Sequence, residues 1–381
     1  EEIDIGGPTL IRAAAKNYKD VVVVTDNKDY PDIINKIQNN TLDLTYRRGL
    51  AAKAFKLIAN YDISISSYFN KNMEYLQLEE NKKLSYGENP HQEAEIYKLD
   101  FNKQSMMDLE QLWGKEMSYN NYNDTFAALE LLHDFKDEKF FSCSIKHSTV
   151  CGAAAGINDL DSYQKCYQSD SIGIFGGIVA LNYKVDEAVA TEINKIFIEI
   201  LIAPEFTKEA LDVLKTKKNI RILKYSSLEY FNKSSYKDLD GYLLKQTRDF
   251  DLYEELKYVT VNKPSDSEMD DLLFAYKIVK NIKSNGIALV KDKVLTGVSG
   301  GQTARVYALK AAIDNSLLDI SGSVLASDAF FPFNDSVEFA SNNGIKSIIQ
   351  PGGSKNDSSL IEFCNKNEIK MVFTNRRHFK H

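Results

Sequence analysis

Cysteine is scarce in this chain. There are four in 381 residues, at positions 143, 151, 166 and 364, and no two of them are spaced as a CxxC pair. That excludes a disulfide framework and a zinc-ribbon type of site, and a reducing cytoplasm is the expected compartment. No apolar run has the length of a transmembrane helix, so no membrane partner is expected. Basic residues do not outnumber acidic ones: 47 Lys and Arg against 54 Asp and Glu leave a net charge of −7. A general nucleic-acid surface is therefore not expected. Anionic small substrates remain open, because they need only a local cluster of Arg, Lys and helix N-termini. There is no low-complexity tract and no repeat at the level of residue identity. The chain opens on Glu1 rather than methionine, without a signal-peptide pattern and in the middle of a structural one. An N-terminal portion is expected to lie outside it.

What is present is ordinary soluble composition, 43% hydrophobic and 27% charged, over a length that holds two or three domains. "EIDI" reads as a strand, Gly6-Gly7 as a turn, residues 8–17 as a helix and "VVVVT" (21–25) as a second buried strand. Together they predict the tail of a βαβ unit in a parallel sheet. Residues 32–70 read as helical, and the charged stretch at 79–83 as a linker. Strands and helices then alternate to the end, with strands at 175–182 and 198–204 and a helix between them, which predicts layered α/β architecture. The polar segment 224–263 reads as a subdomain boundary. It is followed by a helix in "DDLLFAYKIVKNIKS" and a strand–turn–strand in "GIALVKDKVLTGVSGG". Gly-Gly pairs at 6, 300 and 352 each stand between a predicted strand and a predicted helix, and a fourth at 176 lies in a strand. A strand, a flexible turn and an unpaired helix N-terminus favour an anion such as phosphate or carboxylate. None matches a full Walker or dinucleotide fingerprint, so neither ATP nor NAD is implied.

The stretch "FFSCSIKHSTVCGAAAG" (140–156) ends an apolar strand on two adjacent basic residues. Neighbours on a regular strand point to opposite faces, so Lys146 and His147 can serve one site only if the strand stops and the chain turns there. The small residues of "STVCGAAAG" suit such a turn and a close backbone approach. Read alone, the pair is a strand end with two solvated bases, and only the rest of the chain can change that reading.

With "SYGENPHQ" (85–92), "IKHSTVCGAA", "ASDAFFPFNDSV" (326–337), "QPGGS" and the closing "RRHFKH", the chain resembles the bifunctional purine-biosynthesis family that joins aminoimidazole carboxamide ribonucleotide (AICAR) formyltransferase to IMP cyclohydrolase. The resemblance runs from Glu1 to His381. It implies the C-terminal part of a Rossmann-like, parallel-sheet cyclohydrolase domain with a helical linker (1–77). A formyltransferase domain follows (78–381), built from two cytidine-deaminase-like α/β subdomains at about 78–230 and 231–381. It implies a homodimer with active sites at the interface, and transfer of a formyl group from 10-formyltetrahydrofolate, a cosubstrate, to the 5-amino group of AICAR. That amine is a poor nucleophile, so a base and a cation for the developing oxyanion are needed. By resemblance His147 is the base and Lys146 the cation, which suits an imidazole that exchanges protons near neutral pH.

The resemblance also assigns Ser85, Tyr86, Asn121, Gly176, Glu199, Asn285, Arg305 and Arg377 to the nucleotide. It assigns Val306, Phe330, Asp335, Ser354 and Lys355 to folate. In the cyclohydrolase part Asp4 and Ile5 match nucleotide contacts and Lys16 a ring-closing residue, expected to point back to the Gly6-Gly7 turn. A chain that begins at Glu1, without the preceding part of that domain, is expected to close the formylated product to IMP poorly. Read by themselves, Asn121 serves as well as a helix cap, Phe330 as core, Arg305 as a solvated helix residue and Gly176 as a strand glycine. His91 stands between structural and site-lining, while His133 and Trp113 read as packing residues. A zinc nucleotide deaminase is the rival enzyme class, but its HxE…PCxxC ligands are absent and no zinc is expected. A zinc-free nucleotide-binding protein of deaminase-like fold is the non-enzymatic alternative. One position departs from the family pattern. Ser85 stands where an arginine usually binds the nucleotide phosphate, which shifts that task towards Arg377, with Lys82 or Lys83 nearby.

Overall fold

In the computed structural model, which describes residues 2–99, 104–230 and 232–381, the chain divides into two compact units at Glu79 and Glu80. The first unit contains α1 (Gly6–Lys16), α2 (Tyr30–Gln38) and α3 (Leu44–Phe69). Pro31 falls in the first turn of α2, where its missing N–H is not needed. Asp43 caps α3 by accepting from the Tyr46 N–H at 2.7 Å. Ala15, Ile33, Leu50, Ala51 and Ala54, one face from each helix, meet around Val23. The strands expected over 2–5 and 21–25 do not form. A strand is held by a hydrogen-bonded neighbour, and over residues 2–78 no extended segment pairs with another. The valines at 22–24 instead cover the helices as part of that core. The expected linker is likewise corrected: β1 (Glu79–Lys83) pairs with β2 (Glu95–Lys98) as a small separate sheet.

The second unit contains, in order, β3 (Leu109–Trp113), α4 (Tyr119–Asp134), β4 (Phe141–Lys146), β5 (Thr149–Ala155), α5 (Asp159–Ser169), β6 (Ile178–Leu181), α6 (Glu187–Ile193), β7 (Ile200–Ala203), α7 (Lys208–Leu214) and β8 (Arg221–Tyr225). A hairpin, β9 (Ser234–Leu239) with β10 (Tyr242–Thr247), occupies the polar segment read as a bare boundary. Then the succession repeats: β11 (Lys257–Tyr258), α8 (Asp266–Lys280), β12 (Ile287–Lys291), β13 (Val294–Ser299), α9 (Arg305–Asp314), β14 (Val324–Ser327), α10 (Asp335–Asn342), β15 (Ser347–Gln350), α11 (Asp357–Lys366) and β16 (Lys370–Phe373). One mixed sheet of twelve strands carries both halves, in the order β11-β16-β15-β14-β12-β13-β5-β4-β6-β7-β8-β3. The order mirrors itself about the β13–β5 seam, so each half has the same topology. Strands such as β6, β7, β14 and β15 are buried along their whole length, which is why they read as continuous apolar runs. The seam itself is a single antiparallel register pair, Val294 with Ala154, backed by the Ala155 N–H donating to the Lys293 carbonyl at 3.0 Å. Beside it Phe135 stacks on Phe141 at 4.0 Å and lies 4.7 Å from Phe274.

The repetition, invisible in residue identity, is legible in chemistry. Ser118 with Asn121 and Ser265 with Glu268 are capping boxes that open α4 and α8. Two-residue turns close the β4–β5 and β12–β13 hairpins, and Gly176 and Gly322 hold positive φ (71° and 78°) two residues before β6 and β14. In the second half Glu268 is fully committed, to Lys370 at 2.7 Å and the Ser347 hydroxyl at 2.6 Å. Burial pushes the Glu268 carboxyl up, but the Lys370, Ser347 and Ser265 donors outweigh it and leave it at about 2, against an ordinary 4.5. Its stabilising contribution, about 3 kcal/mol, is therefore complete above pH 4.5 and is lost as pH falls from 4.5 towards 2. Glu268→Gln is expected to flatten the acid limb of the stability–pH curve over that window. Parallel acid limbs for variant and wild type in denaturant titrations would refute the assignment.

Strand directions place the functional regions. β4 runs antiparallel to β5 and β6, with β7 and β8 parallel to β6. β12 runs antiparallel to β13 and β14, with β15 and β16 parallel to β14. Carried across the antiparallel seam, these directions bring the end of β4, the starts of β6, β7, β8 and β12, and the ends of β14 to β16 to one edge of the sheet.

Candidate active site

The turn after β4 is shorter than expected. Only His147 and Ser148 make it, both left-handed (φ 52° and 55°), and "TVCGAAA" returns as β5. Two left-handed residues match the right-handed twist of hairpin strands, but each costs a residue with a Cβ roughly 1 kcal/mol. The small residues of β5 serve packing instead. A Cβ on Gly152 would lie 2.5 Å from the Cys166 carbonyl of α5 and 2.7 Å from the Ser144 hydroxyl. Asp124 of α4 holds the turn: its carboxylate accepts from the His147 N–H (3.2 Å), the Ser148 N–H (2.7 Å) and the Ser148 hydroxyl (3.0 Å). The Lys146 ammonium donates to the Phe175 carbonyl at 2.7 Å, and the next residue, Gly176, donates its N–H to the Phe197 carbonyl at 2.8 Å. Lys146, His147 and Gly176 thus meet at one edge.

Asn121 answers to both of its readings. Its side chain closes the α4 capping box, and its Nδ2 also donates to the Glu199 carboxylate at 2.8 Å. Arg221, at the start of β8, lies 3.8 Å from Glu199 and donates Nε–H to the Glu116 carbonyl at 3.0 Å. Burial pulls the Arg221 guanidinium down from its ordinary range, and Glu199 and Tyr86 oppose the pull. Asn120 donates to the Glu88 carbonyl at 3.2 Å, tying the loop that carries Ser85 and Tyr86 to α4. That loop closes on itself through Gln92, whose side chain accepts from the Asn89 N–H at 2.9 Å. Ser85, Tyr86 and His91 are all exposed on it. Lys82 is engaged with Glu116 at 3.0 Å. His133 bonds to the Leu228 carbonyl, and Trp113 donates to the Lys217 carbonyl while its backbone pairs with Ile222, beside Arg221.

A second cluster lies on the same edge in the other half. Arg305, at the start of α9, is buried rather than solvated. It donates to Asp328, to the Ser327 hydroxyl at 2.7 Å and to the Asn285 side-chain carbonyl at 2.8 Å. Asn285 in turn donates to the Gln302 carbonyl at 3.0 Å. The C-terminal tail runs past this network: the His378 N–H donates to the Asp328 carbonyl at 3.0 Å. Arg377 stacks on Phe379 at 4.2 Å and has no ion-pair partner among the described residues. Val306 follows Arg305 on α9, half-exposed Phe330 follows β14, and Asp335 opens α10. Ser354 and Lys355 follow β15, on a loop that Asn356 ties to the Pro332 carbonyl at 2.8 Å. This is the carboxyl end of parallel strands, where open α/β sheets bind ligands. Between the clusters lie β5 and β13, which separates β4 from β12 by about 14 Å, and no hydrogen bond or ion pair among the described residues joins their site residues.

The Gly-Gly turns give a mixed outcome as anion sites. The Gly7 N–H is taken by the Asp4 carboxylate at 3.0 Å, and the Gly353 and Ser354 N–H groups by Asp357 at 2.7 and 3.1 Å. At Gly300-Gly301 the helix begins only at Arg305, with no side-chain cap. Ile5 is the exposed residue before α1, and the Asp4 N–H donates to the Tyr61 hydroxyl at 2.7 Å. Lys16 does not point back to the Gly6-Gly7 turn: it ends α1, about 14 Å along the helix from Gly7. Among the described residues no group of three His, Cys, Asp or Glu side chains is placed to hold a metal ion. Burial pushes the Cys151 thiol up to about 11.

Sequence reasoning passed over Asp124, Arg221 and Asp328. Asp328 stands inside a motif already singled out, "ASDAFFPFNDSV", and Asp124 three residues after Asn121, so their presence was available and their partners were not. Arg221 in "NIRILK" carries no sequence signal at all. Compared with known proteins, residues 14–315 match the family model described as AICARFT/IMPCHase bienzyme. The chain is 46% identical to the bifunctional purine biosynthesis protein PurH of Clostridioides difficile (strain 630), aligned over all of this chain and 77% of that protein. It is 49% identical to the protein of the same description from Clostridium botulinum (strain Hall) and 48% identical to that of Petrotoga mobilis. Each alignment spans the whole chain and 76% of the relative.

Proposed function

The chain belongs to the AICARFT/IMPCHase bienzyme family, and from that premise we propose which of its residues carry formyl transfer. It is an enzyme of de novo purine biosynthesis, with AICAR formyltransferase and IMP cyclohydrolase as the family's two activities. The observation that carries the proposal is the two-residue turn that sets Lys146 and His147 side by side on one sheet edge, next to Gly176 and within reach of α4. His147 takes the proton from the 5-amino group of AICAR as its nitrogen bonds to the formyl carbon of 10-formyltetrahydrofolate. Lys146 supports the oxyanion of the tetrahedral intermediate. Collapse breaks the bond from that carbon to the folate N10, which takes up a proton and leaves as tetrahydrofolate. Ser85, Tyr86, Asn121, Gly176 and Glu199 frame the nucleotide from one cluster, and Asn285, Arg305 and Arg377 from the other.

The charges divide the work between the two arginines. Arg305 is neutralised by Asp328 and orients Asn285. Arg377 keeps its donors uncommitted, and with serine at position 85 it takes the nucleotide phosphate. Folate lies along Val306, Phe330, Asp335, Ser354 and Lys355. On this reading residues 78–381 are the formyltransferase domain, with cytidine-deaminase-like halves at about 78–230 and 231–381. Residues 1–77 belong to the cyclohydrolase domain with Asp4, Ile5 and Lys16. The enzyme is a cytoplasmic homodimer in which the two clusters complete each other across the interface. The experiment is a spectrophotometric assay with AICAR and 10-formyltetrahydrofolate on protein whose mass in solution is measured alongside. Tetrahydrofolate release by a dimer, with a raised nucleotide KM for Arg377→Ala, is the expected result. Nucleotide binding without transfer would return the chain to the non-enzymatic reading, and transfer by a monomer would refute the shared site.

A further inference from the structure

We propose that Asp124 is the positioning residue of formyl transfer: by clamping the His147–Ser148 turn it fixes the backbone that carries the His147 ring directly after Lys146. The inference rests on the roles given above to Lys146 and His147. Two-residue hairpin turns favour Asn-Gly and similar pairs because both central residues are left-handed. Here they are histidine and serine, and neither is glycine, which alone takes that conformation without strain. The missing local preference is replaced from outside the hairpin. Three hydrogen bonds converge on one carboxylate, from both turn amides and the Ser148 hydroxyl. Without them the turn has cheaper conformations, and an extended one returns His147 to the face opposite Lys146. Asp124 also shares a helix face with Asn121, three residues earlier. The clamp therefore fixes the turn relative to the side chain that bonds Glu199.

The duplicated half supplies a control within the same molecule. Asp271 of α8 accepts from the amides of Asp292 (2.8 Å) and Lys293 (2.7 Å), both left-handed, in the hairpin turn on the opposite sheet edge. That turn carries no histidine. The clamp is thus a device of the fold, and chemistry depends on it at one edge only.

The test compares Asp124→Ala, Asp124→Asn, Asp271→Ala and the double variant Asp124→Ala/Ser148→Gly in the formyl-transfer assay. Losing the clamp displaces the base by an ångström or more, so Asp124→Ala is expected to lower kcat by about 100-fold with the nucleotide KM changed far less. Glycine takes the left-handed conformation freely, so Ser148→Gly is expected to restore roughly tenfold of that loss. Asp271→Ala is expected to leave kcat unchanged. A near-wild-type kcat for Asp124→Ala overturns the proposal, as does a loss that Ser148→Gly does not relieve, since the carboxylate would then act by its charge. If Asp124→Ala does not fold, Asp124→Asn and Asp124→Asn/Ser148→Gly carry the same comparison. If the wild-type enzyme transfers no formyl group, the roles of Lys146 and His147 fail. The clamp is then read by amide exchange at His147 and Ser148, which must accelerate in the Asp124 variants and not in Asp271→Ala.

Discussion

His147→Ala and Lys146→Ala are each expected to remove at least two to three orders of magnitude of formyl-transfer kcat while leaving the fold and the assembly intact. The size follows from the two effects removed. A positioned general base contributes about 10²–10⁴-fold, and one well-placed oxyanion partner about 10²–10³-fold. The folds survive because the His147 side chain is exposed and the half-buried Lys146 side chain gives up one hydrogen bond, to the Phe175 carbonyl. Position 147 is left-handed, so alanine there adds a backbone penalty of about 1 kcal/mol. His147→Asn is the cleaner variant, since asparagine tolerates that region and cannot act as a base. Added imidazole is expected to restore part of the His147→Ala rate and none of the Lys146→Ala rate. Turnover within tenfold of wild type at saturating substrates, in any of these variants, would remove the pair from the chemistry.

The second large effect is on stability. Asp328 is wholly buried, and its carboxylate takes hydrogen bonds from Arg305 and, at 2.6 Å, from the Ser284 hydroxyl. Removing one member of a buried ion pair leaves the other charge without a partner in a medium that cannot solvate it. Asp328→Ala is therefore expected to destabilise the enzyme by about 3–5 kcal/mol. Arg305→Ala/Asp328→Ala is expected to cost less than the two single substitutions together, because no charge is then stranded. Denaturant unfolding of the four proteins gives the coupling directly. Additive losses would mean that the two charges do not depend on each other. Arg305→Lys is not a conservative change here, since an ammonium cannot reach Asp328, Ser327 and Asn285 with one planar fork.

The fold of residues 104–381 was largely legible, because its strands are short apolar runs bounded by polar turns and its helices carry their caps in the text, as Ser118 and Ser265 do. The strands expected at 2–5 and 21–25 were misread for a physical reason. A run of valines states that a segment is apolar and extended, not that another strand lies beside it. The turn at His147 is shorter than the sequence suggests: the glycine and alanines that suit a turn and a close backbone approach belong to β5, where Gly152 makes room for α5. Motifs identified the pair Lys146 and His147, but not Asp124, whose meaning lies in which amides it faces. The internal repeat, implied by the family resemblance, is invisible in residue identity for a related reason. Asn121 and Glu268 occupy matching helix positions with different side chains, so only topology and capping geometry reveal the correspondence.

The seam between the halves bears on how such a protein can change over generations. In backbone terms it is thin, one register pair and one further hydrogen bond. Phe135 and Phe141 from one half nevertheless press against Phe274 from the other, inside a core cluster that draws buried residues from both. Neither half owns a complete interior. A deletion that cut the gene at the boundary between repeats would release two fragments, each with an aromatic face bared to water. The duplicated pattern is therefore a ratchet: the two copies are free to diverge in what they bind, as their two turns already have, but not to separate.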